Sequence, residues 1–179
     1  MALEIETIAV IGAGDQGRET ACAALFAGYR VILEDVSEKR LAHAVDWIAQ
    51  LNPEVHSRLF TATQIEEAIR EADLIVEAVA EEMEMKIEMF TIFDKFAKSH
   101  AIFASSSSLF SIAELAAVTF CPDRCIGMRL VSRNGQAEAF ELGRAPSTSE
   151  ETVARCCEVV RRMGKEALVM PEKEFSESL

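Results

Sequence analysis

The chain has 179 residues, of which 50% are hydrophobic and 27% are charged, as is typical of a globular domain with a sizeable core. Its 18 lysines and arginines are outnumbered by 30 aspartates and glutamates, so its formal net charge is -12 at pH 7. Such a charge repels nucleic acid phosphates and anionic membrane surfaces, and we expect neither as a partner.

Short apolar runs alternate with longer amphipathic stretches, a pattern typical of βαβ units and a parallel sheet. The runs predict strands at 6–12, 30–35, 58–61, 73–79, 101–104, 124–130 and 166–170. Helical periodicity predicts helices at 15–28, 38–51, 64–71, 83–98, 111–117 and 149–163. The fold class is therefore α/β: a doubly wound, mostly parallel sheet of seven or eight strands in one Rossmann domain, residues 1–170. The remaining residues, 171–179, are predicted to be a polar tail that frays.

A glycine-rich loop, Gly12-Ala13-Gly14-Asp15-Gln16-Gly17, follows the first predicted strand and opens the first predicted helix. In that context the pattern G-x-G-x-x-G is a dinucleotide-binding fingerprint. Gly12 permits the tight turn, Gly14 lets the backbone approach a pyrophosphate, and Gly17 lets the helix pack on the strand. Free N–H groups at the helix start bind phosphates. Asp15 and Gln16 are therefore also expected beside the cofactor.

An acidic residue, Asp35, ends the second predicted strand, about 20 residues after the glycine loop, where a carboxylate binds the adenosine ribose hydroxyls. The same carboxylate would repel a 2′-phosphate. Arg40, at the start of the next predicted helix, is the nearby residue that would suit such a phosphate. Asp35 therefore favours NAD over NADP.

The opening residues carry no basic segment, and the apolar run at 8–11 is too short for a signal core or a membrane span. This predicts a cytoplasmic protein. The chain has 5 cysteines, an odd number that argues against a disulfide framework. Cys121 and Cys125 have no second Cys or His pair at zinc-ligand distance, so no metal site is expected.

Six further segments occur in an order and spacing more specific than a glycine loop alone. They are residues 8–14, 72–79, 102–105, 111–116, 124–128 and 148–153. Together they resemble the NAD-binding domain of the 3-hydroxyacyl-CoA dehydrogenases, enzymes of fatty acid metabolism. The resemblance implies an NAD-dependent oxidoreductase with a small-molecule substrate, which transfers hydride between nicotinamide and a 3-hydroxy or 3-keto carbon.

The resemblance also implies roles for residues that follow the predicted strands. The positions that match the family's cofactor contacts are Ala78, Val79, Glu81, Lys86 and Ser106. Ser108 matches the family's serine near nicotinamide and substrate, with a role in cofactor binding and catalysis. From the residues alone, Glu81 and Lys86 could instead be a solvated helix start, and Ser108 could be a turn hydroxyl.

The family's catalytic histidine has no counterpart here. Its stretch G-[LM]-H-F-F-N-P reads Gly-Met-Arg-Leu-Val-Ser-Arg at 127–133, so Arg129 occupies the histidine position. Arginine stays protonated and cannot accept the proton of an alcohol. The glutamate that holds the histidine in the family is present as Glu141. Arg129 is expected either to pair with Glu141 or to bind an anionic group of a substrate through its guanidinium.

Two further departures concern chain length. The interval between Asp35 and Glu77 is shorter than in the family, which inserts a helical arm there to hold the CoA moiety. The family also continues into a helical domain, where this chain reads Met-Pro-Glu-Lys-Glu-Phe at 170–175 and stops at Leu179. Apolar surface left uncovered would favour a homo-oligomer. Two functions follow: an oxidoreductase of this type, or a catalytically inactive NAD(H)-binding or sensing module.

Overall fold

The computed structural model describes residues 4–133 and 136–177, and in these ranges eight strands form one sheet. The strands are β1 (Thr7–Ile11), β2 (Arg30–Glu34), β3 (Leu59–Ala62), β4 (Leu74–Glu77), β5 (Ile102–Ser105), β6 (Cys125–Arg133), β7 (Gln136–Arg144) and β8 (Glu166–Pro171). Their order is β3-β2-β1-β4-β5-β6-β7-β8, and every neighbouring pair is parallel except β6 and β7. The predicted mostly parallel sheet is therefore confirmed.

Helices follow most of the strands, and a serine caps the start of two of the longer ones. They are α1 (Asp15–Phe26), α2 (Glu38–Leu51), α3 (Ile65–Ile69), α4 (Met83–Phe96), α5 (Ile112–Ala116), α6 (Glu150–Arg162) and α7 (Glu172–Glu177). The hydroxyls of Ser37 and Ser149 accept hydrogen bonds from backbone N–H groups in the first turns of α2 and α6. Among the described residues, none of these helices combines the length and apolarity needed to span a membrane.

The core lies on both faces of the sheet. Because side chains alternate along a strand, Ile8 and Val10 of β1 pack with α1, α2 and α6, whereas Ala9 and Ile11 pack with α3, α4 and α5. All five residues of β1 are buried, as expected for a parallel strand covered on both sides. The sheet is thus doubly wound, and its order reverses between β1 and β4. Ligands of such sheets bind at the carboxyl ends of the strands beside this reversal.

One strand of the sheet, β7, was not predicted from the sequence. β7 runs antiparallel to β6, and both are longer than the single strand predicted at 124–130. The dipeptide Asn134-Gly135 joins them in the sequence and lies outside the described residues. An Asn-Gly pair between two strand-like runs is a hairpin signal. That signal would have predicted the second strand.

The prediction that the end of the chain frays is wrong for residues 171–177. Pro171 ends β8, and α7 packs against the sheet with Phe175 fully buried. A Cβ atom on Gly127 would lie 2.6 Å from the Phe175 ring, so the ring occupies space that only a glycine leaves. One buried aromatic side chain therefore outweighs the polar composition of the segment. Residues 178 and 179 of the predicted tail lie outside the described residues.

Candidate dinucleotide site

The glycine loop joins β1 to α1 beside the reversal point of the sheet. Gly12 has a φ of +102°, and a Cβ there would lie 2.6 Å from the carbonyl oxygen of Ala78, just after β4. A Cβ on Gly17 would fall on the carbonyl oxygen of Gly12. Gly12 therefore permits the turn, and Gly17 lets α1 pack directly on it, as the fingerprint predicts.

Gly14 differs from these two glycines because it faces open space. Among the described residues, no heavy atom lies within 4 Å of its Cβ position apart from its chain neighbours. Gly14 also caps α1 and offers no side-chain acceptor to the N–H groups of the first turn. Space and available N–H donors are what a pyrophosphate requires. The loop therefore fits a dinucleotide.

The first turn of α1 is linked to the far side of the site. Gln16 donates from Nε2 to the carbonyl oxygen of Leu130 on β6, at 3.0 Å. Asp15 is exposed and forms an ion pair with Arg18. The side chain of Gln16 thus bridges the glycine loop and the strand that carries Arg129.

Asp35 directly follows β2, and its carboxylate faces the glycine loop. Oδ2 accepts a hydrogen bond from the Ala13 N–H at 3.0 Å, and Oδ1 accepts one from the Ser37 N–H at 2.8 Å. The Nε atom of Arg40 lies 3.1 Å from Oδ2. An ionised carboxylate has about four acceptor positions, so Asp35 retains capacity for ribose hydroxyls. Its partner Arg40 is mostly exposed and lines the same cleft.

Lys86, which was predicted to contact the cofactor, is buried and is not among the residues that line the cleft described below. Its side chain is 0% exposed, and its Nζ lies 2.7 Å from Oε1 of Glu77 at the end of β4. Glu77 is also fully buried and accepts a second hydrogen bond from the hydroxyl of Ser105. A buried ammonium needs a carboxylate, and one lies on the adjacent strand. Lys86 therefore stabilises the ends of β4 and β5 from below the site.

Glu81 links the buried pair of Lys86 and Glu77 to the serine loop, the run of four serines at 105–108. One carboxylate oxygen accepts from the hydroxyl of Ser107 at 2.8 Å, and the other accepts from the N–H of Ser108 at 3.1 Å. The Nζ of Lys86 lies 3.8 Å from the same carboxylate. Glu77, Ser105 and Ser107 were not predicted as site residues. The acidic end of the strand Leu-Ile-Val-Glu at 74–77 was the available signal for Glu77.

Arg129 and Glu141 lie directly opposite each other on β6 and β7. Their side chains form a buried ion pair through Nε and Nη2 of the arginine, so the first of the two expected arrangements is present. Nη2 also donates to the carbonyl oxygen of Phe175 at 3.0 Å, and the guanidinium lies 4.5 Å from the centre of that ring. The guanidinium is thus engaged with the protein itself on two sides.

These elements surround a cleft of about 730 Å³ at the carboxyl edge of the sheet. Ten of the predicted site residues line it: Gly14, Asp15, Gln16, Asp35, Ala78, Val79, Glu81, Ser106, Ser108 and Arg129. The four other predicted site residues are not among those that line the cleft; they are Gly12, Gly17, Lys86 and Glu141. Glu34 also lines the cleft and was not predicted, although an acidic residue inside the apolar run Val-Ile-Leu-Glu at 31–34 was a signal. The cleft has the size of a small-molecule or cofactor site.

Comparison with known proteins shows the family to which the chain belongs. Residues 7–174 match the family described as 3-hydroxyacyl-CoA dehydrogenase, NAD binding domain. The chain is 36% identical over 180 residues to a probable 3-hydroxybutyryl-CoA dehydrogenase of Bacillus subtilis, covering 93% of this chain and 62% of that protein. It is 30% identical to the mitochondrial hydroxyacyl-coenzyme A dehydrogenase of Rattus norvegicus, covering 90% of this chain and 57% of that protein.

A solved structure has the same architecture. The 3-hydroxybutyryl-CoA dehydrogenase of Escherichia coli K12 superposes with a TM-score of 0.87 at 29% identity, over 95% of this chain and 39% of that one. The chain thus spans about three fifths or less of the length of these relatives.

Proposed function

Because the chain belongs to the 3-hydroxyacyl-CoA dehydrogenase family and corresponds to its NAD-binding domain, its cofactor is NAD(H), and we propose that the cleft is where it binds. In this proposal Gly14, Asp15 and Gln16 hold the pyrophosphate and Asp35 holds the adenosine ribose. Ala78, Val79, Glu81, Ser106 and Ser108 line the remainder of the cofactor site. The observation that carries the proposal is the open space at Gly14 beside the first turn of α1, whose N–H groups receive no hydrogen bond from a capping side chain.

Lys86 has a positioning role in this proposal. It holds Glu77 and Glu81 through charge, and Glu81 in turn accepts hydrogen bonds from Ser107 and Ser108. The loop that carries Ser106 and Ser108 is thereby held at the cleft. This role needs no direct contact between Lys86 and the cofactor.

The reaction we propose is the family's hydride transfer between nicotinamide and a 3-hydroxy or 3-keto carbon, with a small molecule as substrate. The bound nicotinamide would supply the hydride acceptor or donor. Ser108 lines the cleft and would orient the substrate oxygen. Arg129 stays protonated, so it would stabilise negative charge rather than take up a proton. The base of the family reaction is thus missing at this position, and Glu141 is engaged with Arg129.

The same ion pair favours a second candidate, an NAD(H)-binding or sensing module without turnover. Arg129 is buried against Glu141 and the C-terminal helix, so neither side chain is placed to shuttle a proton. We place either form of the protein in the cytoplasm, because an odd number of cysteines argues against the disulfide framework of an oxidising compartment.

Calorimetric titration with NADH and NADPH tests the binding proposal, with Asp35→Arg as the variant. We expect the native protein to prefer NADH, and the variant to lose that preference or reverse it, because arginine suits a 2′-phosphate. Equal selectivity of the two proteins would contradict the assignment of the ribose site. Failure of the native protein to bind either nucleotide would overturn the cofactor assignment itself.

A turnover assay then separates the two candidates. Oxidation of NADH is followed at its absorbance band with acetoacetyl-CoA and with a panel of small 3-keto acids. Turnover on any of them supports the oxidoreductase, whereas NADH binding without turnover supports the silent module.

A further inference from the structure

Glu34 is a buried residue of which one carboxylate oxygen accepts no hydrogen bond from the residues that the structure describes. It is the last residue of β2, its side chain is 2% exposed, and it lies on the α3 face of the sheet next to Ile11 and Ile65. Within the described residues, its Oε1 atom is shielded from solvent and accepts no hydrogen bond. Such an acceptor is costly in a folded protein and calls for a ligand or another explanation.

Within residues 4–133 and 136–177, no cation forms an ion pair with the Glu34 carboxylate. Burial, and then the charges of Asp35 and Glu66, raise the pKa of Glu34 to about 7. The nearby cation, Arg40, is bonded to Asp35. The described residues contain no group of three or more His, Cys, Asp or Glu side chains that could hold a metal ion. The missing partner is therefore best supplied by a neutral hydrogen-bond donor that enters the cleft.

The position of Glu34 within the cleft identifies that donor. With the pyrophosphate at Gly14 and the ribose at Asp35, the base attached to that ribose must lie beyond Asp35. Glu34 and Val36 flank Asp35 in the chain and both line the cleft, whose apolar lining also includes Ile65, Met85 and Met89. An apolar slot that contains one buried acceptor is the usual form of a site that holds a flat base and fixes its orientation.

We propose that Glu34 accepts a hydrogen bond from the exocyclic amino group of the adenine of NAD(H), and so makes this end of the cleft selective for that base. The inference rests on the proposed function, since it assumes that the dinucleotide lies in the cleft. It concerns base selectivity rather than total affinity. An apolar residue at position 34 could also contact adenine, but it could not distinguish an amino group from another group at that edge of the base.

The test compares NAD with 1,N6-etheno-NAD, whose base has no N–H donor on that edge, by calorimetry on the unmodified full chain and its variants. At pH 8, above the pKa of Glu34, the native protein should bind NAD at least about tenfold more tightly than the etheno compound, as expected for a hydrogen bond to a charged group. Glu34→Met keeps the length of the side chain but removes both oxygens, so this preference should fall by about tenfold. Glu34→Gln keeps an acceptor oxygen and should retain most of it.

Glu67→Met is the matched control, because Glu67 is an exposed carboxylate on α3 outside the cleft. Its preference should equal that of the native protein. A native protein without preference, or an unchanged preference in Glu34→Met, would overturn the inference while leaving the proposed function intact. If neither nucleotide binds to the native protein or to any variant, the proposed function is refuted instead. Circular dichroism confirms that each variant is folded.

Discussion

Replacing Glu34 with glutamine should change how the stability of the unliganded protein depends on pH. The pKa of Glu34 is raised from an ordinary 4.5 to about 7, mainly because the folded protein buries the carboxylate. A raised pKa means that folding favours the protonated form. Glu34 therefore costs nothing below pH 4.5, and its cost grows as the pH rises and is complete above pH 7.

The size of this effect follows from the shift. The full change in pKa corresponds to about 3 kcal/mol. About 1 kcal/mol of this cost is already present at pH 5.5. The free energy of unfolding of Glu34→Gln, measured relative to the native protein, should therefore rise by about 2 kcal/mol between pH 5.5 and pH 8.

Urea unfolding at the two pH values measures this difference, with a constant m-value as the sign that the unfolded states are comparable. The amide of glutamine has a burial cost of its own, but that cost does not vary with pH. Glu67→Gln, which alters an exposed carboxylate, should show no such change. A difference between Glu34→Gln and the native protein that is the same at both pH values would refute the reasoning.

Three further substitutions test the structural roles assigned above. Lys86→Met should destabilise the protein by about 3–5 kcal/mol, because it leaves the buried carboxylate of Glu77 without its cation. Thermal unfolding should show a fall in Tm on the order of 10 °C. An unchanged Tm would mean that the ion pair does not contribute to stability. Gly17→Ala should weaken NADH binding at least about tenfold in calorimetry, because its Cβ forces α1 away from the turn at Gly12, and an unaltered Kd would show that the loop tolerates this shift. Phe175→Ala should cost about 3 kcal/mol in urea unfolding, because the ring is fully buried; a loss near zero would indicate that α7 is not part of the cooperative fold.

Several features of the site were predictable because they depend on local sequence. The glycine loop was found from its spacing, since Gly12 needs a positive φ and Gly17 needs the absence of a side chain. Asp35 was found because parallel strands bring their carboxyl ends to one edge. The pairing of Arg129 with Glu141 was one of two arrangements expected, and the hairpin of β6 and β7 places the two directly opposite each other.

Other features could not be predicted from the sequence, because they depend on which residues come into contact when the chain folds. Lys86 looked like a solvated or cofactor-facing cation at a helix start, and only the position of Glu77 on β4 explains its burial. The segment that contains Phe175 has a polar composition, and only the two glycines on β6 and β7 leave room for the ring. Glu34 is one acidic residue in an apolar strand, and its lack of a partner emerges only from its surroundings.

Periodicity, turn chemistry and motif spacing are local properties, and they were enough to predict the doubly wound sheet, the dinucleotide fingerprint and the family. Which charged side chains face the cleft and which are buried behind it depends instead on how the whole chain packs. Residues 9 apart, as in Glu77 and Lys86, or 46 apart, as in Arg129 and Phe175, are joined by packing, which depends on the shape of the whole sheet. The free energy of a charge depends on burial and on its partners, so the chemical role of each charged residue emerged only when the chain was folded.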